Sequence, residues 1–387
     1  MSFVTPALTL GVEEEYQIVD PVTRDLKPSG TRLIESDETQ ENKLNLKPEF
    51  MQSQVEVGSH VCKNVKEVRQ EIIRMRRQVC KLAREHDLRI IAASTHPFAK
   101  AAQQSITTGN RYKELLDDMQ GVARSLLIFG MHVHVGFDHK ESLQNKNLMI
   151  EIMNQARYFI PHLLALSTSS PFWEGSYTGL RSYRSVVFEQ MPRTGIPPSF
   201  TSWGEYHNFE SLMMKVGAFG KKEPVAKIWW DIRPHPIFDT LEFRISDVCT
   251  TIDEAVCLVA LYQAICAKLI KLRRENMSWR AYRTIHINEN KWRAVRYGIN
   301  GELIDFGKQT EVPFHFLMTE LLEFVDDVVD ELGSRSEIEY IHHILKNGSS
   351  ADRQIEVFRS NGGNENREEA LKAVVDYLID QTEQGIW

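Results

Sequence analysis

A chain of 387 residues with 42% hydrophobic residues can bury a sizeable core, as one large domain or as two or three ordinary ones. Its formal charge of −7 and pI near 6.0 argue against a general binder of nucleic acid or of an anionic membrane, so anionic ligands would have to be met at a local basic site. Five cysteines, Cys62, Cys80, Cys249, Cys257 and Cys266, include no Cys-x-x-Cys pair, which argues against a disulfide framework and a thiolate zinc site and fits a cytoplasmic chain.

The first residues, MSFVTPALTL, lack the basic stretch, apolar segment and cleavage site of a secretory signal. Leu8 to Val19, LTLGVEEEYQIV, alternates as a strand: Leu8, Leu10, Val12, Tyr16 and Ile18 share one face, and Thr9, Gly11, Glu13, Glu15 and Gln17 the other. Glu14 alone falls on the apolar face, has no assigned role, and is expected to tolerate Glu14→Leu. Glu13 and Glu15 lie roughly 7 Å apart along such a strand and repel each other unless a cation or water intervenes. A divalent metal would resolve the repulsion; a solvated edge-strand face is the bland alternative.

Asp20 to Lys47, with Pro21, Pro28 and Gly30, reads as a long connection. Phe50 to Val57 reads as a second alternating strand, with Gln52, Gln54 and Glu56 on its polar side. Asn64 is the expected N-cap of an amphipathic helix to about His86, with Val65, Val68, Ile72, Met75, Val79 and Leu82 at helical spacing and the arginines on its solvent face. Leu88 to Ser94 is a short strand ending in the turn Thr95-His96-Pro97, where His96 reads as structural. A helix from Asn110 to about Ser125 leads to a third alternating strand, Ile128 to Asp138, with His132 and His134 opposite Met131, Val133, Val135 and Phe137. Leu143 to Ser167 is helical with a kink at Pro161. Ser170 to Phe200 is rich in aromatics and arginines and reads as a folded loop reaching over a ligand. Ile228 to Arg233 sets Trp229, Asp231 and Arg233 on one face, and Leu241 to Asp247 sets Glu242, Arg244 and Ser246 on one face. Ala255 to Ile270 is too short for a membrane span and reads as a buried core helix. The remainder is mostly helical, apart from an extended piece at Glu302 to Phe306. No repeat or linker divides the chain, which reads as a single α+β domain over residues 1–387.

One strand with a polar face says little, because any antiparallel sheet with a solvated side alternates in this way. Here five such strands carry Glu13, Glu15, Glu56, His134, Arg233, Glu242 and Arg244, and no lysine. If they share one sheet, its polar side gathers four carboxylates, two arginines and a histidine, the composition of a metal–phosphate site. Hard oxygen ligands suit Mg²⁺ or Mn²⁺, and four or more carboxylates imply more than one ion. Arginines would hold phosphate oxygens by paired, charge-assisted hydrogen bonds. Phosphoryl transfer asks for this kind of positioning and charge neutralisation, without a side-chain nucleophile. No glycine-rich phosphate cradle is present: Gly301 to Lys308 has one residue too many, and Gln309 stands where Ser or Thr is needed. His132-Val133-His134 also matches the opening of a zinc hydrolase barrel, but two Glu-bearing strands precede it. That favours one histidine as a ligand in a carboxylate cluster and the other as its neighbour, with a purely structural role for both as the alternative.

Taken together, LGVEEEYQIVD, PEFMQSQVEVG, STHPF, GMHVHVGFD, WWDIRPHP, LEFRISDV and RAVRYG resemble the carboxylate–amine ligases grouped with type 2 glutamate–cysteine ligases. The resemblance implies a glutamine synthetase and guanido kinase type of fold: α+β, with a curved, mainly antiparallel sheet, helices on one face and the active site on the other. It implies Glu13, Glu15, Glu56, His134 and Glu242 as metal ligands, with Arg233 and Arg244 on the transferring phosphate. Glu49 matches a further acidic position, although seven residues before Glu56 it would need a bulge to share that face. Arg181 and Arg184, in the long loop, are candidates for holding a substrate carboxylate. The implied reaction is amide formation driven by ATP with Mg²⁺, or Mn²⁺ in its place: a carboxylate, that of the glutamate side chain, becomes an acyl phosphate from which an amine displaces phosphate. A metal-dependent amidase acting on γ-glutamyl amides and a non-catalytic nucleotide-binding relative are the alternatives. The partners are small molecules, with no nucleic acid and no membrane, and the acidic C-terminal helices could either form a homodimer contact or cover the domain's own core.

Overall fold

A computed structural model describes residues 6–41, 43–137, 142–219 and 227–387; Met1–Thr5, Asn42 and Asp138, within segments read above, lie outside them. Strand β1, Leu10–Val19, is followed by helix α1, Gly30–Glu38, then β2, Lys47–Pro48, β3, Gln54–Gly58, α2, Val65–Arg84, and β4, Arg89–Ile91. Helices α3, Asn110–Met119, and α4, Gly121–Arg124, lead to β5, Met131–Gly136, and then to α5, Leu143–Ala156, and α6, Ile160–Ser167. The next stretch holds β6, Phe172–Trp173, β7, Ser176–Tyr177, α7, Tyr183–Phe188, β8, Thr194–Gly195, and α8, Trp203–Lys215. Strands β9, Trp229–Trp230, β10, Ile232–Pro234, and β11, Thr240–Phe243, precede α9, Ile252–Arg274, and α10, Thr284–Tyr297. After a hairpin of β12, Glu302–Asp305, and β13, Thr310–Pro313, come α11, Phe314–Leu332, and four more helices, the last being Arg367–Glu383.

The main sheet runs β10-β11-β5-β1-β3-β2, with β4 also paired to β1, and every pairing is antiparallel. Alternation decides its two sides. Leu10, Val12, Tyr16 and Ile18 of β1, Val133 and Val135 of β5, and Leu241 and Phe243 of β11 are buried in one apolar core with Val68, Ile72, Met75 and Val79 of α2. Each such aliphatic side chain contributes about 1.5–3 kcal/mol relative to exposure. Helix α2 starts where expected, with the Asn64 side chain accepting from the Glu67 N–H at 3.0 Å. Helix α9 opens on a capping box between Thr251 and Glu254 and closes on Lys271, Arg273 and Arg274, each end matching the helix dipole. Its 23 residues exceed the expected Ala255 to Ile270 and would suffice to cross a bilayer, but 78% of its apolar window is buried inside the protein.

Several sequence-based expectations are corrected. Glu14 is not a tolerant position: it is fully buried and paired with the equally buried Arg76 of α2, at 3.1 Å from Nε and 2.5 Å from Nη2, and it accepts a bond from the Tyr16 hydroxyl. Arg76 is therefore not on the solvent face of its helix; its remaining donors go to the carbonyls of Cys249 and Thr250. The connection after β1 contains α1. Phe50 to Val57 is not one strand, because Gln52 bonds Gly30 and Ser105 through its backbone and the ladder begins only at Gln54. The helix from Asn110 breaks at Gln120, whose φ is 51°. Pro161 does not kink a continuous helix; a 3-10 turn at Arg157–Phe159 separates α5 from α6, and Pro161 sits in the first turn of α6, where its missing N–H costs nothing. Ile228 to Arg233 changes partner at Asp231, pairing first with β8 and then with β11. Beyond Phe243 the ladder ends, and the Ser246 hydroxyl turns inward to Tyr262 at 2.6 Å.

Candidate active site

On the polar side of the sheet the register sets opposite residues side by side: Glu15 with Glu56, Glu13 with His132, Gly11 with His134, His134 with Glu242, and Glu242 with Arg233. Gly11, lacking a side chain, leaves room beside His134, from which a Cβ there would be 3.5 Å. Two triads result. Glu13, His134 and Glu242 offer ligand atoms within 4.8 Å of one another, and so do Glu15, Glu49 and Glu56.

In the first triad, His134 Nδ1 lies 3.0 Å from Thr240 Oγ1. With Nδ1–H donating there, Nε2 keeps its lone pair; it has no hydrogen-bond partner among the described residues and lies 3.7 Å from Glu13 Oε2. His132 Nδ1 is 3.3 Å from the same oxygen. Burial pushes the Glu13 carboxyl up, but His132, within hydrogen-bond distance, and the nearby His134 ring outweigh it and hold Glu13 well below the usual range. Glu242 is gripped by Arg233 Nε at 2.7 Å and Arg244 Nη1 at 2.5 Å, and these two charges overcome the upward push of burial, keeping it ionised. Arg233 also donates to the Ile228 carbonyl, whereas Arg244 Nε has no partner among the described residues.

The second triad has the opposite electrostatic character. Glu15 Oε2 accepts from the Gly130 N–H at 2.7 Å and from Gln54 Nε2 at 3.2 Å, yet burial and the neighbouring Glu56 raise its pKa to about 7. Glu49 is likewise pushed well above the carboxylate range by burial, Glu56 and Glu15. On one continuous strand with Glu56, Glu49 would need a bulge to come round to this face. None is required, because β2 and β3 are separate antiparallel strands and Glu49 lies in the chain between them. Lys47, on β2, spans the triads, with Nζ 3.1 Å from Glu13 Oε1 and 2.6 Å from Glu56 Oε1. It was missed in the sequence because a two-residue strand carries no alternation to read.

The two loop arginines part company. Arg181 bonds Asp352 at 2.7 Å and Tyr177 at 3.1 Å, and no contact joins it to either triad among the described residues. Arg184 donates to the carbonyls of Arg244 and Ile245 at the rim of the cluster, so close to Gly130 that a Cβ there would stand 2.7 Å from Nη2. The loop is anchored by buried Asp247, which accepts from Ser169 N–H and from the Ser170 and Ser182 hydroxyls. Asp231 turns to Lys291 of α10, at 2.7 Å, in a buried ion pair not foreseen from the sequence.

Five carboxylates and one imidazole with a free, buried lone pair form a hard donor set, which fits Mg²⁺ or Mn²⁺ better than a thiophilic ion. The arginines and the unmatched Arg244 Nε–H add donors for anionic oxygen on the same face of the sheet.

Comparison with known proteins agrees with this chemistry. The chain matches the model of glutamate-cysteine ligase family 2 over residues 9–377. A candidate glutamate–cysteine ligase 2 of Solibacter usitatus is 50% identical to it over 391 residues, spanning 100% of this chain and 96% of the relative. Among solved structures, the bifunctional glutathione synthetase of Pasteurella multocida aligns with a TM-score of 0.66 at 14% identity, over 97% of this chain and 53% of the other, so the chain spans about half that protein's length. The glutamate–cysteine ligase of Francisella tularensis, solved in complex with AMP, aligns with a TM-score of 0.64 at 13% identity, over 100% of this chain and 94% of the other. At these identities the two structures speak for a shared fold of mixed helix and sheet.

Proposed function

The chain belongs to glutamate–cysteine ligase family 2, and from that membership we propose how this ATP-dependent carboxylate–amine ligase divides its work among its residues and what it joins. The carboxylate is that of the glutamate side chain, which takes the γ-phosphoryl group of ATP to become an acyl phosphate. An amine then displaces phosphate, leaving an amide, ADP and phosphate. The observation that carries this reading is the pair of triads bordered by Arg233 and Arg244. Glu13, His134 and Glu242 would hold one divalent ion, and Glu15, Glu49 and Glu56 another, with Mg²⁺ or Mn²⁺ as the ions. Bound there, such ions would neutralise phosphate oxygens and offset the charge of the transferring group.

The chain's own groups supply the rest. Arg244, with a spare buried Nε–H, holds a phosphate oxygen, while Arg233, engaged with Glu242 and the Ile228 carbonyl, fixes the direction of the Glu242 carboxylate. Thr240 fixes the tautomer of His134. Of the two loop arginines, Arg184 is the better candidate for a substrate carboxylate, since its pairing with Asp247 is long, at 4.0 Å, and its Nε has no hydrogen-bond partner among the described residues, whereas Arg181 is held by Asp352 at 2.7 Å. The antiparallel sheet, with α2 on its apolar side and the acidic cluster on the other, supports a glutamine synthetase and guanido kinase type of architecture in which residues 1–387 form one catalytic domain. Five buried thiols are consistent with a cytoplasmic enzyme.

The test is ADP release with Mg²⁺, glutamate and a panel of amines, with mass spectrometry of the product. Glu13→Gln and Glu242→Gln are each expected to lower the rate roughly a hundredfold or more in chains whose folding is checked by circular dichroism. Full metal-dependent ADP release in either folded variant would remove the assignment, and hydrolysis of a γ-glutamyl amide without ATP would replace it with an amidase.

A further inference from the structure

We infer that Lys47 is a built-in counter-cation that neutralises the junction of the two triads in the free protein and opposes the loading of divalent ions there. The inference rests on the metal-binding reading above and goes beyond it by giving the cluster a resident competitor. Its ammonium contacts one carboxylate of each triad, Glu13 and Glu56, and is the one cation that bridges them among the described residues. The geometry is that of a group reaching in from the rim. The Lys47 side chain is 52% exposed, whereas that of Glu56 is 11% exposed. Its strand is two residues long, lies at the end of the sheet and pairs only with β3, so little packing holds the side chain in place. The same short segment carries Glu49, so one piece of backbone delivers both a prospective ligand and the cation that competes with the ion.

Electrostatics gives the consequence. A divalent ion entering either triad meets the Lys47 positive charge a few ångströms away, in a setting screened less than bulk water. Without anionic phosphates the carboxylates already have a partner, and the incoming ion must overcome or displace it. When phosphates arrive with the ion, their charge offsets the repulsion, and the freed ammonium can turn to an oxygen of the bound anion. Lys47 thus biases the site toward taking metal together with nucleotide rather than alone.

Mn²⁺ titration of the full chain without nucleotide, followed by electron paramagnetic resonance of the free ion, tests this in the wild type, Lys47→Met and Lys47→Arg. Removal of the charge is expected to tighten Mn²⁺ binding roughly tenfold at low salt, with a smaller gain at high salt, and Lys47→Arg should bind as the wild type does. A Lys47→Met chain that folds only when Mn²⁺ is present would support the same conclusion, since the ion would then replace the missing cation. Equal or weaker binding by folded Lys47→Met overturns the inference while leaving the metal site standing. No Mn²⁺ uptake by the wild type or by folded Lys47→Met, with ATP or without it, overturns the metal reading itself.

Discussion

Glu14 lies one position from each of two prospective metal ligands, yet its side chain points into the core and meets Arg76. Strand parity reads correctly which side it faces. What parity cannot reveal is that a helix residue 62 positions away supplies a matching guanidinium, since alternation in one segment carries no information about its partner in another. The same limit hid Lys291 behind Asp231 and Lys47 behind Glu56. Burial changes the consequence of substitution from mild to severe, because removing one member of a buried pair strands the other charge. Glu14→Leu is therefore expected to lower unfolding free energy by about 3–5 kcal/mol in urea denaturation. The double replacement Glu14→Leu with Arg76→Leu should recover part of that loss, short of the carbonyl contacts that Arg76 makes to Cys249 and Thr250. A Glu14→Leu single variant as stable as the wild type would show that the pair contributes nothing.

Whole strands are legible where apolar and polar side chains alternate along them, even where both faces are buried. β1 and β5 declare Glu13, Glu15 and His134 in this way, and β11 declares Glu242. Elements whose ends are set by partners are not. Parity counted back from Glu56 through Phe50 as one strand set Glu49 on the opposite face, although the ladder begins only at Gln54, and the change of partner at Asp231 left no mark in IWWDIR. The turn after β4 shows what a single ring can do between elements. His96 Nε2–H donates to the Arg24 carbonyl at 2.9 Å, while Nδ1 accepts from the Ala99 N–H at 2.9 Å and the Phe98 N–H at 3.2 Å. Burial lowers its pKa from the ordinary 6.5 to about 4. Between those values the unfolded chain binds a proton that the folded one refuses, so this contribution to stability is complete above 6.5 and is lost as pH falls toward 4. Denaturation of wild type and His96→Gln across that window should give a wild-type slope steeper by up to about 1.4 kcal/mol per pH unit. Parallel slopes would mean that the ring is not held neutral.

At the scale of the molecule, the composition of one sheet face carried the functional reading, and the matching chemistry lay in the match of the whole chain to its family rather than in any short motif. The electrostatic state of that face has a cost that can be measured. Glu15, with its pKa raised to about 7 by burial and Glu56, binds a proton more tightly in the folded chain than at its ordinary 4.5. In the metal-free protein the Glu15 contribution to stability is therefore lost as pH rises from 4.5 through about 7, the reverse of the His96 contribution. An ion in the second triad removes the repulsion, and a ligand that binds only the folded state at a hundredfold excess over its Kd adds about 2.7 kcal/mol. Thermal melts at pH 8 after chelator treatment should accordingly show a higher melting temperature when Mg²⁺ or Mn²⁺ is restored. Glu15→Gln should melt above the wild type without metal, having shed an unfavourable buried charge, and should gain less from the ion because one ligand is gone. If instead Glu15→Gln melts lower without metal and gains as much from the ion, Glu15 is held by the Gly130 and Gln54 contacts alone, and the second triad is not a metal site.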